Sequence, residues 1–178
     1  MLALGTSLTA LLHAAEPDAA DVFEYEVKAN YLFNFGRFVE WPARTNGGVT
    51  KFVILIADDG KVFPLISATL AGKTVQGKPV EARRLNAVED VKQCDILFVA
   101  RSAEKRVEEL LKAAGKAPVL TIGEMGGFAT RGGCINFVHK GETIRFEVNL
   151  EVTEQAGLKI SSKIAAMAII VRRPGGGK

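Results

Sequence analysis

The chain has 178 residues, of which 48% are hydrophobic and 24% charged, with a formal net charge of +3. This length fits one domain with a substantial core, and the composition excludes a disordered, collagen-like or coiled-coil protein. Two cysteines exclude a disulfide-rich scaffold, and no apolar run reaches the 18 residues of a membrane-spanning helix. Three basic residues lie in 172–178, and without them basic and acidic residues number 20 each. We therefore expect a near-neutral body without the basic face that nucleic acid requires.

Residues 1–15 are predicted to be a secretory signal peptide that is truncated at its start. Apolar Leu8–Leu12 precedes His13-Ala14-Ala15, which resembles a small-residue cleavage site, but the usual basic opening is missing. The alternative is a disordered apolar leader. With a signal, the mature chain would begin near Glu16 in an oxidising compartment. Residues 16–171 are then expected to form one domain and 172–178 a flexible tail.

A long first helix is predicted over residues 22–40. Its apolar residues recur at three- and four-residue spacing in two stripes, so the helix should be buried on two sides. Asp21 is the expected N-cap, and Pro42 stops the helix. Seven of the 13 aromatic residues lie in 23–41. This excess indicates either an interface with a partner or second copy, or a helix enclosed within its own domain.

The rest of the chain alternates strand and helix before it turns to a hairpin. Continuous apolar runs predict buried strands, and the segments between them predict helices, as expected for a parallel sheet. Alternating apolar residues on both sides of Lys140-Gly141-Glu142 predict a β-hairpin. The predicted fold is a Rossmann-like three-layer α/β/α sandwich with a mixed sheet and a C-terminal β-hairpin. Its predicted strands are 51–57, 78–85, 95–100, 118–122, 134–139 and 143–148, and its later helices are 61–70, 88–93, 103–114, 149–156 and 162–171.

Polar residues follow three of the predicted parallel strands. Asp58, Ser102 and Glu124 would lie near one another at the carboxyl edge of the sheet, where such folds bind ligands. They form a possible small-molecule pocket, but Asp and Ser at these places are also usual helix caps. Gly123–Gly127 is a weak candidate for a phosphate cradle, so no nucleotide cofactor is expected.

The sequence offers no convincing catalytic or metal site. His139 is expected to be exposed at the end of the hairpin, and no nucleophile elbow or register of metal ligands can be assembled. Arg145 and Glu147 share one face of an alternating strand. That face is either simply solvated or a polar anchor beside a binding surface.

Six segments of the sequence together form a recognisable combination. They are Tyr25–Pro42, Leu70–Val80, Cys94–Val99, Gly133–Val138, Ile144–Asn149 and Gly157–Lys163. This combination resembles the YfiR family of periplasmic proteins over about residues 24–171, and it is specific although no single segment is.

This resemblance implies a regulatory role without catalysis or a nucleotide cofactor. The best-understood member type binds the periplasmic sensor domain of an inner-membrane diguanylate cyclase and represses it. An outer-membrane, peptidoglycan-associated lipoprotein can sequester the repressor, after which cyclic di-GMP rises and biofilm forms. Members form homodimers. The resemblance also implies disulfides, but this chain lacks the matching partner cysteines, so a Cys94–Cys134 bridge stays uncertain and Cys94 is interpreted as a small buried hydrophobe.

With this role in mind, we expect a partner-binding surface built on the first helix and the hairpin. Aromatic side chains would supply most of its binding energy, with polar neighbours beside them. The predicted residues are Phe35, Phe38, Trp41, Arg145, Glu147 and Asn149.

Overall fold

A computed structural model describes residues 18–42, 50–172 and 174. The predicted signal peptide and most of the predicted tail lie outside the described residues. The predicted α/β architecture with a mixed sheet is confirmed. The described strands are β1 (Val39–Glu40), β2 (Phe52–Ala57), β3 (Thr74–Val75), β4 (Lys78–Arg84), β5 (Ile96–Val99), β6 (Leu120–Gly123), β7 (Ile135–Lys140), β8 (Thr143–Val148), β9 (Lys159–Ile160) and β10 (Ile169–Ile170).

The main sheet has eight strands in the order β10-β8-β7-β6-β5-β2-β4-β3. Strands β4, β2, β5, β6 and β7 run parallel, while β8 pairs antiparallel with β7 as the predicted hairpin. Strands β2, β5 and β6 are buried along their whole length, as their continuous apolar sequences predict.

Helices cover both faces of this sheet. On one face lie α1 (Ala19–Phe38), α2 (Val62–Leu70) and α5 (Ser162–Met167). On the other face lie two 3₁₀ helices (Val88–Gln93 and Arg101–Arg106) and α3 (Val107–Ala114). The short α4 (Leu150–Gln155) follows the hairpin. Alternate residues of each central strand point to opposite faces, which gives two hydrophobic clusters separated by the sheet.

The first helix begins earlier than predicted. Its N-cap is Asp18, whose side chain accepts a hydrogen bond from the Ala20 backbone N–H at 3.3 Å, so Asp21 lies in the first turn instead. A carboxylate in the first turn is also favourable, because it interacts with the positive end of the helix dipole. Composition alone does not distinguish the two aspartates, which lie three residues apart.

The last predicted helix is partly wrong. Residues 162–167 are helical, but Ile169–Ile170 form β10, a parallel edge strand beside β8. The β-branched residues Ile169 and Ile170 favour an extended strand once β8 offers an open edge. A two-stranded sheet of β1 and β9, which the sequence analysis did not predict, joins the end of α1 to the segment before α5.

Candidate functional site

A buried lysine connects the first helix to the carboxyl edge of the sheet. Lys28 is 1% exposed, and its ammonium contacts the carboxylates of both Glu24 and Glu124. Glu24 lies one helical turn earlier on α1, whereas Glu124 directly follows β6. A buried lysine is tolerated only when opposite charges and hydrogen bonds replace its hydration. The Lys28–Glu124 pair therefore ties α1 to the edge where Rossmann-like folds bind ligands.

Glu124 has further partners. The Tyr25 hydroxyl donates to Glu124 Oε1 at 2.9 Å, and the Arg101 backbone N–H donates to the same oxygen at 2.7 Å. Burial raises the pKa of Tyr25 above its ordinary value, and the charge of Glu124 adds to this effect. The Tyr25 hydroxyl therefore stays neutral and remains a donor. We call Glu24, Tyr25, Lys28, Glu124 and His139 the lysine cluster.

Glu24 and His139 lie at the rim of the lysine cluster. His139 Nε2 lies 3.2 Å from Glu24 Oε1, and the His139 side chain is exposed, as the sequence predicted. Burial alone would raise the pKa of Glu24, but the hydrogen bond and charge of Lys28, and then those of His139, lower it below its ordinary value. One lysine thus faces two carboxylates in this cluster, and His139 lies beside the outer one.

The predicted ligand-pocket residues already bond to other groups of the chain. Asp58 Oδ2 accepts hydrogen bonds from the backbone N–H groups of Val62 and Phe63 at 2.8 and 2.9 Å. Asp58 therefore satisfies free N–H groups of α2 as a cap does, although the N-cap residue is Lys61. Ser102 Oγ accepts from the Asp59 N–H at 3.1 Å and lies within a 3₁₀ helix, so it is not the predicted helix cap. Glu124 belongs to the lysine cluster.

The glycine-rich loop after β6 packs around an aromatic ring. Phe128 is fully buried, and added Cβ atoms at Gly123 and Gly133 would come within 2.4 and 2.1 Å of its ring. Because no Cβ fits at either position, these glycines are explained by the close approach of the backbone to Phe128. Within the possible phosphate cradle Gly123–Gly127, core packing thus accounts for Gly123, whereas a Cβ added at Gly126 would meet nothing within 4 Å and Gly127 has a positive φ of 75°.

Phe35 does not lie on the predicted partner surface. It is 1% exposed, and its ring packs on Tyr31, Phe137 and Phe146 with centroids 5.1 to 6.1 Å apart. Phe38 is half-buried, as is Trp41, whose ring meets Phe52 edge-to-face at 5.3 Å. Of the seven α1-region aromatics, Phe23 is the one that is largely exposed, at 69%. Most of the aromatic excess thus packs inside the domain.

The polar residues of the predicted surface lie elsewhere. Arg145 and Glu147 alternate along β8 with buried Phe146, which packs under α1, so they point to the opposite face of the sheet. Glu147 accepts a hydrogen bond from Asn136 Nδ2 across the strand pair at 3.1 Å. Asn149 is fully buried, donates to Ala129 O and caps α4 through Val152 N–H, so it is structural. The six predicted residues do not form one surface.

Sequence reasoning missed Lys28, Glu24 and Tyr25. Lys28 was passed over because lysine is usually a surface residue. The sequence nevertheless carries a signal. Lys28 lies three residues after Tyr25 and four before Leu32, and both of these belong to the apolar stripe. Lys28 also lies four residues after Glu24, the spacing at which two helical side chains can form an ion pair. A lysine placed inside an apolar stripe indicates a buried ion pair.

Comparison with protein families gives a match over most of the chain. The model of the YfiR/HmsC-like family matches residues 25–169. The chain belongs to the YfiR/HmsC-like family. A comparison with curated protein sequences found no match. The YfiR/HmsC-like family is a regulatory, non-catalytic family associated with cyclic di-GMP signalling.

Solved structures share the fold of this YfiR/HmsC-like chain at low sequence identity. A conserved domain protein from Vibrio cholerae O1 biovar El Tor str. N16961 matches with a TM-score of 0.56 and 13% identity over 82% of the chain. The ABC domain from Streptococcus pneumonia, solved in complex with L-Trp, matches with a TM-score of 0.50 and 10% identity over 68% of the chain. The match spans 60% and 55% of those two chains. At such identities the likeness shows the fold alone.

The two cysteines of this YfiR/HmsC-like chain do not bridge. Cys94 and Cys134 are both buried thiols, and they belong to the two hydrophobic clusters on opposite faces of the sheet. Cys94 is fully buried and donates weakly to Val91 O, in line with its interpretation as a small hydrophobe. Burial raises the pKa of the Cys134 thiol, which reduces its reactivity.

Two open cavities lie on the face that carries α3. One, of about 360 Å³, has the apolar floor Val53 and Leu55 and polar walls that include Arg83, Asp90 and Gln93. The other, of about 310 Å³, lies between α3, Arg131 and α4. Within the described ranges, no three His, Cys, Asp or Glu side chains are grouped to hold a metal ion. None of the helices described is long and apolar enough to cross a membrane.

Proposed function

We propose that this protein is a periplasmic regulator that binds the sensor domain of an inner-membrane diguanylate cyclase and holds the enzyme inactive. The observation that carries the proposal is the YfiR/HmsC-like match over residues 25–169. A regulator of this kind acts by binding the inactive state of its partner more tightly than the active state. Loss of the regulator would then raise cyclic di-GMP and promote biofilm formation.

The chemistry of the carboxyl edge supports binding through an outer surface. Glu124 is held by Lys28, Tyr25 and Arg101, and the buried Asp58 carboxylate accepts hydrogen bonds from the first turn of α2. Opening this edge for a ligand would break a buried ion pair, at a cost of several kcal/mol. A protein partner that docks on the surface requires no such opening.

The proposal extends to location and assembly. Secretion by a signal peptide would deliver the chain to the periplasm, where it would act as a homodimer. A peptidoglycan-associated lipoprotein of the outer membrane would compete for the regulator and release the cyclase. These statements are supported by the resemblance of the chain to the YfiR family.

The decisive experiment mixes the purified protein with the periplasmic sensor domain of an inner-membrane diguanylate cyclase from the same organism. Light scattering after gel filtration should detect a stable complex, and deletion of the regulator should raise cellular cyclic di-GMP. The proposal fails if both proteins are folded, no complex forms, and deletion leaves cyclic di-GMP unchanged. Re-expression of the intact chain is the control for the deletion.

The cavity over Val53 and Leu55 favours a second candidate function, a small-molecule receptor without catalytic activity. Its volume of about 360 Å³ lies within the range of ligand pockets, and its walls combine both signs of charge. A ligand that binds the native state raises its stability. A thermal-shift screen with small polar metabolites should give a hit that Leu55→Trp abolishes, and this candidate fails if no compound shifts the midpoint.

A further inference from the structure

Three cations and two aromatic rings form a continuous row on the outer side of α1. Lys73 Nζ lies 4.9 Å from the centroid of the Phe33 ring. Arg37 Cζ lies 5.6 Å from the centroid of the same ring and 5.4 Å from the centroid of the Phe38 ring. At the other end of the row, Lys163 Nζ lies 5.1 Å from the centroid of the Phe38 ring. We call these five residues the cation–ring row.

Three separate parts of the chain build the cation–ring row. Arg37 and both rings belong to α1, Lys73 precedes β3, and Lys163 lies in α5. The rings are half-buried against the core, so they are held in place, while Arg37 and Lys163 are exposed. The tertiary structure thus presents three positive charges at defined positions.

These cations lack the carboxylate partners that other ring-stacked cations have. Lys28 and Arg84 also stack on rings, but each has a carboxylate within 4.0 Å. Among the described residues, no such carboxylate is paired with Arg37, Lys73 or Lys163. Within the part of the chain that the structure describes, the charge of the row is therefore available to another molecule.

We propose that the cation–ring row is the docking surface for an acidic face of the protein partner. This inference rests on the proposed function and adds the chemistry by which the partner is recognised. Arginine and aromatic side chains are enriched at the points that dominate protein interfaces. Cations already stacked on rings lose less side-chain freedom on binding, and complementary charge steers the partner to the surface.

A protein partner fits the row better than a lipid surface does. Binding to a membrane surface commonly buries apolar side chains in the lipid besides pairing charges. The exposed large hydrophobic side chains described are Val22, Phe23, Met167 and Ile170, and none belongs to the row. Both rings are held against the core, so neither is free to enter a lipid layer.

The test removes the three positive charges and keeps aliphatic parts of the side chains that cover the rings. The row variant is Arg37→Gln/Lys73→Gln/Lys163→Gln. A matched control, Lys105→Gln/Lys112→Gln/Lys116→Gln, removes the same charge from exposed positions near α3. Binding is measured to the cyclase sensor domain, to poly-L-glutamate and to phosphatidylglycerol vesicles. We expect the row variant to bind the sensor domain about tenfold more weakly, with a shallower salt dependence, and the control to bind like wild type.

Each outcome of this test decides a different question. If wild type, row variant and control bind the sensor domain equally, the row is not the docking surface, although the proposed function stands. If wild type does not bind the sensor domain, the proposed function fails, and poly-L-glutamate then tests the row. Selective loss of poly-L-glutamate binding in the row variant supports an acidic partner, whereas equal binding overturns it. If the row variant loses binding only to the phosphatidylglycerol vesicles, the row binds a membrane, and this result also overturns the proposal.

Discussion

Lys28 makes the buried ionic contact between α1 and the sheet. It lies between two carboxylates, and its own side chain and that of Glu124 are 1% and 2% exposed. A buried ion pair can cost as much in desolvation as it gains in attraction. Removal of one partner of the pair is nevertheless strongly destabilising, because no water solvates the charge that stays buried.

Replacement of Lys28 by methionine should destabilise the protein by about 3–5 kcal/mol, since it leaves Glu124 buried without its counter-charge. Urea unfolding of wild type and Lys28→Met at neutral pH measures this difference. The double variant Lys28→Met/Glu124→Gln should recover part of the loss, because neither member of the buried Lys28–Glu124 pair is then charged. A loss of less than about 1 kcal/mol in Lys28→Met would show that the cluster is hydrated.

Glu24 should make stability depend on pH in the acid range. Its pKa lies below the ordinary value of 4.5 in the folded protein, because the effects of Lys28 and His139 outweigh burial. Its contribution is therefore present above pH 4.5 and is lost as the pH falls through the lowered value. Glu24→Gln should lose less unfolding free energy than wild type between about pH 7 and pH 3. Parallel curves for the two proteins would contradict this assignment.

At the scale of elements, the glycine-rich loop and Phe128 form one packing unit. The loop leaves β6 at Gly123 and returns to β7 at Gly133, and both positions face the ring. A phosphate-binding loop needs glycines so that its backbone can approach a ligand closely. The same freedom serves here to let the backbone approach Phe128.

Gly133→Ala should therefore destabilise the protein, by about 1–3 kcal/mol or more, since its Cβ would overlap a fully buried ring. Gly126→Ala is the matched control in the same loop, because an added Cβ there meets nothing within 4 Å. Thermal unfolding of the two variants gives the comparison. Equal midpoints would mean that the loop can shift away from Phe128.

Local patterns determined most elements but not those that depend on a distant neighbour. The strand 52–57 and the hairpin were predicted to within a residue, because their apolar runs and turn residues specify them locally. In contrast, β10 is a strand because β8 presents an open edge. The paired residues of β1 and β9 lie 121 and 119 positions apart in the sequence. Such pairings depend on a partner strand that no local window contains.

For the whole molecule, the sheet acts as a partition between two cores. It separates Cys94 from Cys134, and it separates the α1 aromatics from Arg145 and Glu147. The sequence predicts one surface shared by the α1 aromatics, Arg145 and Glu147, and it leaves a Cys94–Cys134 bridge open. The partition explains why neither pair of groups meets.

Both cysteines should behave as buried thiols in the native protein. At mildly alkaline pH, a thiol-specific disulfide reagent should react slowly with the folded chain and with both thiols in concentrated urea. A reducing agent should leave the melting midpoint unchanged. An oxidised Cys94–Cys134 bridge in the folded protein, seen by mass spectrometry, would contradict the separation of the two clusters.

The sequence by itself determined the fold class, the order along the chain of the segments that form the parallel strands, and the family resemblance. The reason is that apolar periodicity and turn residues act over short distances. Only the tertiary structure decided which polar residues are available for function. It buries Asn149 and Phe35, engages Asp58 and Glu124, and assembles the cation–ring row from three parts of the chain. The physical reason is that burial and charge pairing depend on which neighbours the fold supplies, and those neighbours lie far apart in the sequence.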